Sequence, residues 1–348
     1  MTERSSGQRA LDRIAYLLER DQASTFKVRA FRRASAAIAG IDEERLRQLA
    51  ESKRLQDLSN VGAATAAVIT DAVAGNTPSY LADLEKIAVP VLSPAAAELR
   101  RQLRGDCHCH SDWSDGGSPI DEMASAAKEL GHDYMVLTDH SPRLTVARGL
   151  DRDRLLQQLD VVEKVNEELA PFRILTGIEV DILEDGSLDQ DEDILARLDL
   201  VVASVHSKLK MEKLQMTRRM IKAVESSHTD VLGHCTGRLI VGRVDRSKGG
   251  RPPSTFDSAA VFEACRATGT AVEVNARPER RDPPPELLAE ALDKGCWFTI
   301  DTDAHAPGQL EWLGNGCEQA AEVGVPVERI VNTWDMDELL AWTAGHGS

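Results

Sequence analysis

The sequence predicts an α/β chain in two parts, a small all-α segment followed by a barrel of parallel strands with crossover helices. Three observations predict it. Charge divides unevenly: residues 1–100 carry 14 basic and 13 acidic side chains, a net of +1, whereas residues 101–348 carry 27 and 44, a net of −17. Apolar residues recur at helical spacing up to residue 89, then short apolar runs alternate with helical stretches. Six of the nine histidines fall at or just past the ends of those short runs, where a parallel barrel gathers its active site.

In the first part, Leu11, Ile14, Leu17 and Leu18 lie at helical spacing. A basic amphipathic segment, Lys27-Val28-Arg29-Ala30-Phe31-Arg32-Arg33, continues into an alanine-rich run to Ala39, with Gly40 as its stop. A third helix fits Glu43–Ala50, and Leu58–Ile69 reads as a tight turn leading into a helix. Residues 90–104 are expected to form a linker with a short helix, leaving 1–89 as one domain and 105–348 as the other.

In the second part, strand candidates end at His110, Thr138, Glu179, Ser204, Gly233, Asn275 and Asp301. Helical patterns between them include Ile120–Leu130, Asp153–Leu169 and Ser258–Thr268. This alternation demands parallel pairing, because each return crosses over through a helix.

Composition bounds the function. With 42% hydrophobic residues the chain can fill a core and is not globally disordered. A net charge of −16 argues against a protein that coats nucleic acid. No run of about 18 apolar residues offers a membrane span, and the start lacks a signal-peptide pattern. Six scattered cysteines then read as reduced thiols in a cytoplasmic protein.

The chemistry starts at Asp106-Cys107-His108-Cys109-His110. Alternate strand residues share a face, so His108 and His110 point together while Cys107 and Cys109 turn to the core. Asp115 follows closely; His140 follows Val136-Leu137-Thr138-Asp139, and Glu179 ends Leu175–Ile178. His206 and His234 follow further strands, and Asp303-Ala304-His305 repeats the alternate spacing. Nine such ligands exceed one ion and suit two or three divalent ions with a bridging carboxylate. Mixed histidine and carboxylate ligation fits Zn, Mn or Fe. Open positions on such ions can activate a water.

The motifs His108-Cys109-His110, Thr138-Asp139-His140, Gly177-Ile178-Glu179, Ser204-Val205-His206, Gly233-His234 and Asp303-Ala304-His305 resemble those of the PHP (polymerase and histidinol phosphatase) superfamily. The resemblance implies a distorted (β/α)7 barrel with a trinuclear site that hydrolyses phosphate esters. It implies one ion on His108, His110, Glu179 and Asp303. A second would share Glu179 with His206 and His234, and a third would sit on Asp115, His140 and His305.

The stretches Gly233–Arg238 and Glu273–Arg280, with residues 8–89, resemble bacterial family X DNA polymerases that lack their polymerase core. The helical part resembles their helix-hairpin-helix domain, with Asn60-Val61-Gly62 where the family carries Gly-hydrophobic-Gly, and Ala63 or Ala64 where a basic residue often follows. Val68 stands where related lyase domains hold their Schiff-base lysine, so lyase chemistry is not expected, and residues 90–104 leave no room for polymerase carboxylates.

Three function classes follow. They are a phosphatase of small phosphomonoesters such as a histidinol-phosphate-like substrate, a DNA 3′-end processing enzyme or 3′–5′ exonuclease, and a non-enzymatic metal module. Lys27, Arg29, Arg32 and Arg33 form either a surface for DNA ends or a solvated face. Catalytic roles are expected for Asp115, Glu179 and Asp303. Arg143 and Arg238 are expected to fork onto phosphate, and Arg148, Arg243 and Arg280 occupy comparable loops. Cys235 reads as core, His132, His228 and His346 as exposed, and Lys248–Pro253 as a mobile loop beside the mouth.

Overall fold

The computed structural model describes residues 4–87, 90–241 and 249–347. Val89, Arg243 and Lys248, which carried expectations, lie outside the described residues. The chain folds as two compact units, Met1–Val91 and Leu92–Ser348.

The first unit is built from α1 (Ser6–Arg20), α2 (Thr25–Ile38), α3 (Glu43–Glu51), α4 (Ala63–Val73) and α5 (Ser79–Glu85). Leu11, Ile14, Leu17 and Leu18 are buried, as their spacing requires, and meet Phe31 and Ile38 of α2 and Val68 and Ile69 of α4. The Ser5 side chain caps α1 by accepting from the Gln8 N–H. Asn60 takes φ +63°, the left-handed conformation a glycine would adopt freely, and Gly62 caps α4. The turn predicted before α4 therefore forms without its first glycine. Arg32 departs from the expected basic surface. Its guanidinium makes a two-pronged pair with the buried Glu19 carboxylate, at 2.9 Å on each prong.

The second unit runs α6 (Pro94–Gln102), β1 (Gly105–Cys109), α7 (Ile120–Glu129), β2 (Tyr134–Leu137), α8 (Arg152–Leu169), β3 (Arg173–Asp181), α9 (Glu192–Leu195) and β4 (Leu200–Ser204). It continues with α10 (Lys213–Val224), β5 (Val231–Leu232), β6 (Leu239–Val241), β7 (Gly249–Arg251), α11 (Ser258–Thr268), β8 (Ala271–Asn275), α12 (Pro285–Lys294), β9 (Trp297–Asp301), α13 (Leu313–Val323) and α14 (Met336–Ala344). Seven strands pair in the order β1-β2-β3-β4-β5-β8-β9, every neighbour parallel. A parallel bridge from Cys109 to Ala304 brings the first and last strands together, making a nearly closed barrel. The strands are buried almost throughout, as expected of parallel strands covered by helices. This is the α/β barrel that the alternation predicts.

Several local expectations change. The 90–104 segment carries α6, whose Ala96 and Leu99 join the core of the second unit beside Leu313, Cys317 and Ala320. Apolar periodicity in so short a helix does not reveal which core it joins. Gly249–Arg251, expected in a mobile loop, pairs antiparallel with Leu239–Val241. A Cβ at Gly250 would stand 1.6 Å from the Leu239 carbonyl oxygen, so only glycine permits this approach. His132 is buried rather than exposed, and burial together with Arg100 pushes its pKa down to about 3. His346 is also largely buried, its Nδ1 lying 2.7 Å from Asp230 Oδ1, while His228 is half-buried. All six cysteines are buried free thiols. Among the described residues no helix is long and apolar enough to cross a membrane.

Candidate metal centre

The C-terminal strand ends carry the nine predicted ligands to one mouth. Glu179 lies within β3 and alternates with Asp181, while Ile178 and Val180 face the core. His110 follows β1 by one residue, His206 follows β4 by two, and His234 follows β5 by two. Asp303 and His305 follow β9. Asp303 holds φ +52°, a strained conformation that turns its carboxylate inward. Asp115 comes from the loop after β1. There a Cβ at Gly116 would stand 2.5 Å from the Ser111 carbonyl oxygen, so the turn requires glycine. The Asp139 carboxylate anchors the same loop by accepting from the Ser111 N–H at 2.9 Å, and it is itself held by Gln158 of α8, which donates at 2.6 Å.

Glu179 is the hub. Its Oε2 lies 2.8 Å from His140 Nδ1, 3.4 Å from His108 Nε2 and 3.6 Å from His110 Nε2. Its Oε1 lies 2.9 Å from His234 Nε2 and 3.2 Å from His206 Nε2. Asp115 Oδ1 lies 3.2 Å from His305 Nε2 and 3.5 Å from His140 Nε2. Asp303 Oδ1 lies 3.5 Å from His110 Nε2. Candidate ligand atoms gather within 4.8 Å of one another in three overlapping groups: His110, Asp115, His140 and His305; His108, His110 and Glu179; and His140, Glu179 and His206.

This donor set fits divalent ions. His108 Nε2, both ring nitrogens of His110, His140 Nδ1 and His234 Nδ1 are buried and make no hydrogen bond within the chain. Buried polar atoms left without partners are costly unless something else satisfies them. The opposite ring nitrogens of two histidines are already taken. Glu273 Oε1 holds His108 Nδ1 at 2.6 Å, and Asp181 Oδ1 holds His206 Nδ1 at 3.2 Å. Each carboxylate orients its ring so that Nε2 faces the cluster, the usual outer support of a metal-binding histidine.

The electrostatics agree. Burial opposes a charged Glu179, yet His206, His108 and His140 outweigh it and hold the carboxyl well below the ordinary glutamate range. Burial likewise opposes a charged His206, but Glu179 and Asp181 raise its pKa to about 9. His108 is raised well above its usual value by Glu273 and Glu179 against the same burial. His110 goes the other way, pushed well down by burial and by His305 and His140. Without ions the cluster therefore retains protons on some imidazoles in place of metal charge.

Two arginines meet the ligand set. Arg277 is buried, with Nη1 3.1 Å from Asp303 Oδ1 and Nε 3.1 Å from Glu279 Oε1. Arg280 Nε lies 3.2 Å from Asp303 Oδ2, and its buried Nη1 makes no hydrogen bond. The two arginines singled out from sequence sit differently. The Arg143 side chain is 70% exposed with Nε 4.0 Å from Asp189 Oδ1. Arg238 donates to the backbone carbonyls of Arg280 and Arg281 and so braces the loop that carries Arg280. Arg148 is exposed at φ +58°. Sequence reasoning left Glu273, Asp181 and Arg277 without roles. The available signal was alternation, since Glu273 with Asn275 and Glu179 with Asp181 share strand faces.

A cluster of six histidines and three carboxylates, buried except for exposed Asp115 and partly buried His206 and His305, at the mouth of a parallel barrel with arginines on its edge, defines a class: metal-dependent hydrolases of phosphate esters. The PHP domain model matches residues 106–277, and the helix-hairpin-helix domain model matches residues 6–78. The chain thus carries a helix-hairpin-helix domain followed by a PHP domain, a PolX-like architecture.

Among its relatives is the DNA polymerase/3′-5′ exonuclease PolX of Bacillus subtilis, 39% identical over 241 residues, 69% of this chain and 41% of that protein. The chain thus spans less than half the length of that relative. A probable phosphatase of Caldanaerobacter subterraneus subsp. tengcongensis is 26% identical over 246 residues, 68% of this chain and 89% of that protein. The histidinol phosphate phosphatase of Lactococcus lactis, solved with zinc, L-histidinol and phosphate, aligns at a TM-score of 0.43 and 16% identity over 64% of this chain and 92% of that one.

Proposed function

We propose that the chain hydrolyses phosphate esters at a site for three divalent ions, Zn, Mn or Fe. The first would rest on His108, His110, Glu179 and Asp303, the second on Glu179, His206 and His234, and the third on Asp115, His140 and His305. The observation that carries this reading is Glu179, one buried carboxylate facing five imidazole nitrogens within 3.6 Å. When bound, the ions neutralise phosphate charge and make a water acidic enough to attack phosphorus near neutral pH.

The chain's own residues do the rest. Asp303 is fixed from outside by Arg277 and Arg280. The free Nη1 of Arg280 is placed to donate to a phosphate oxygen, where a guanidinium makes a charge-assisted bond. Glu273 and Asp181 hold His108 and His206 in the orientation that leaves Nε2 available. Burial of His108, His110, Glu179, His234 and Asp303 keeps bulk water from screening their contacts.

Chelation is expected to abolish hydrolysis of p-nitrophenyl phosphate, with Mn or Zn restoring it. Activity that survives exhaustive dialysis against chelator, with no ion detected by mass spectrometry, would overturn the reading. Metal uptake is also expected to release protons. A histidine with a raised pKa is protonated below that value, and only neutral imidazole binds metal. With His206 near 9 and His108 raised, affinity should strengthen from mild acid up to about pH 9. Calorimetric metal titrations at pH 7 in buffers of different ionisation enthalpy should show release of at least about one proton per protein.

A second reading concerns the substrate, a DNA 3′ end reached with help from the first unit. A specific observation favours it: Lys27, Arg29 and Arg33 of α2 are exposed and have no ion-pair partner among the described residues. Three unmatched cations on a helix-hairpin-helix domain suit a phosphate backbone. The PolX relative, named as a 3′-5′ exonuclease as well as a polymerase, points the same way. Cleavage of 3′-tailed DNA that disappears at high salt, while monoester hydrolysis persists, tests this reading. Six buried free thiols support a cytoplasmic location.

A further inference from the structure

Arg219 of α10 is 2% exposed, and among the described residues it is the largest of the fully buried side chains. The metal chemistry proposed above gives it no part. Its guanidinium donates to two loops. Nε donates to the carbonyls of Ile182 at 3.1 Å and Leu183 at 2.8 Å, and Nη2 donates to the Ile182 carbonyl as well. Nη1 donates to the Ser207 carbonyl at 2.9 Å, and Nη2 to the Ser207 hydroxyl oxygen at 3.3 Å. None of these acceptors is a carboxylate. Burial pulls the guanidinium pKa down against the opposing pull of Asp181 and Glu184, so the chain keeps a cation where charge is costly. An apolar side chain of similar volume fills such a space at less cost, but it cannot tie two loops together.

The tied positions adjoin the metal site. Ile182 directly follows Asp181, and Ser207 directly follows His206. The β3–β4 ladder ends where Asp181 pairs with Ser204, and the Ile182 N–H adds one last bond to the Ser204 carbonyl at 2.7 Å. His206 lies past that ladder, so strand pairing does not set its place. Its bonds there run to Asp181, whose Oδ1 accepts from the His206 N–H at 3.1 Å and lies 3.2 Å from Nδ1. Fixing the next residue on each side fixes that pair.

We propose that Arg219 is a positioning residue for the second metal site, holding His206 against Asp181 so that its Nε2 faces Glu179 Oε1. The inference rests on the three-ion reading and deepens it by naming what secures one site separately from the other two. A planar fork reaches both loops at once in fixed geometry, which the single ammonium of a lysine does not. The histidines of the first and third sites, His108, His110, His140 and His305, stand at other strand ends.

The test compares full-length Arg219→Met and Arg219→Lys with wild type and with Lys222→Met. Lys222 braces the same turn from the solvent side, its Nζ donating to the Asp185 carbonyl at 2.9 Å and lying 3.3 Å from the Asp185 carboxylate. Chains stripped with chelator are titrated with Mn, bound metal is counted by mass spectrometry, and folding is checked by cooperative thermal unfolding. At limiting Mn, Arg219→Met is expected to hold one ion fewer per chain than wild type. The affinity for that ion should fall by about 10- to 100-fold, the range for losing an outer support, and excess Mn should refill the site. Arg219→Lys should lose less, and Lys222→Met should match wild type. Nitrogen NMR at limiting Zn should show a free His206 ring in Arg219→Met while His108 and His110 keep metal-bound shifts.

Wild-type ion count and affinity in folded Arg219→Met would overturn the proposal and leave the three-ion reading intact. Loss spread equally over all sites, or failure of both Arg219 variants to fold, would also overturn it, because Arg219 would then hold the barrel rather than one site. An equal loss in Lys222→Met would assign the effect to the turn as a whole, with the same consequence. A wild-type chain that takes up no ion would overturn the metal reading itself.

Discussion

Glu179→Gln is expected to remove bound ions and hydrolysis together, lowering kcat by roughly a thousandfold or more. The substitution keeps size and shape, so packing around β3 should survive. The negative charge is what disappears, and with it the one group that both oxygens offer to His108, His110 and His140 on one side and to His206 and His234 on the other. Two measurements check it. Metal analysis should show fewer ions per chain than wild type. In the metal-free protein, NMR titration of His206 should move down from about 9, because Glu179 is a main cause of its elevation. Wild-type ion content with normal turnover would show that Glu179 does not bridge.

The second large effect is expected at Glu273, a residue that binds no ion in this reading. Its Oε1 holds His108 Nδ1 at 2.6 Å, and its Oε2 accepts from the His234 backbone N–H and from Asn275 Nδ2 at 3.2 Å. One buried carboxylate thus orients two ligand positions. Glu273→Gln retains the volume but presents an amide N–H where an acceptor is needed. Metal affinity should fall by about 10- to 100-fold. The informative signature is rescue: excess Mn should restore most of kcat, which a general loss of structure would not allow. Competition with a fluorescent chelator gives the affinity directly. Unchanged affinity would reduce Glu273 to a packing role.

Much of the barrel was legible in the sequence because its signals are local. Strand ends expected at Glu179, Ser204, Asn275 and Asp301 fall within two residues of the observed ends at Asp181, Ser204, Asn275 and Asp301. Short apolar runs and helical periodicity are properties of consecutive residues, and they need no partner to be seen. The placement of histidines just past those runs was legible for the same reason. Pairings between segments were not. Arg32 looked like a surface cation until Glu19, 13 residues earlier, appeared beside it. Arg143 and Arg280 occupy similar loops in sequence, yet one lies mostly in water and the other reaches Asp303. Nothing within either segment distinguishes them.

The sequence by itself determined the two-part architecture, the parallel barrel and the set of candidate ligands gathered at its mouth, because element type and strand-face alternation follow from short-range periodicity. Tertiary structure alone decided that Glu179 faces five histidines, that Glu273 and Asp181 stand behind two of them, and that α6 belongs with the barrel. Those facts depend on distances between residues far apart in the chain, such as the 165 positions from His108 to Glu273. Such distances are set only when closure of the sheet brings the strand ends around one mouth.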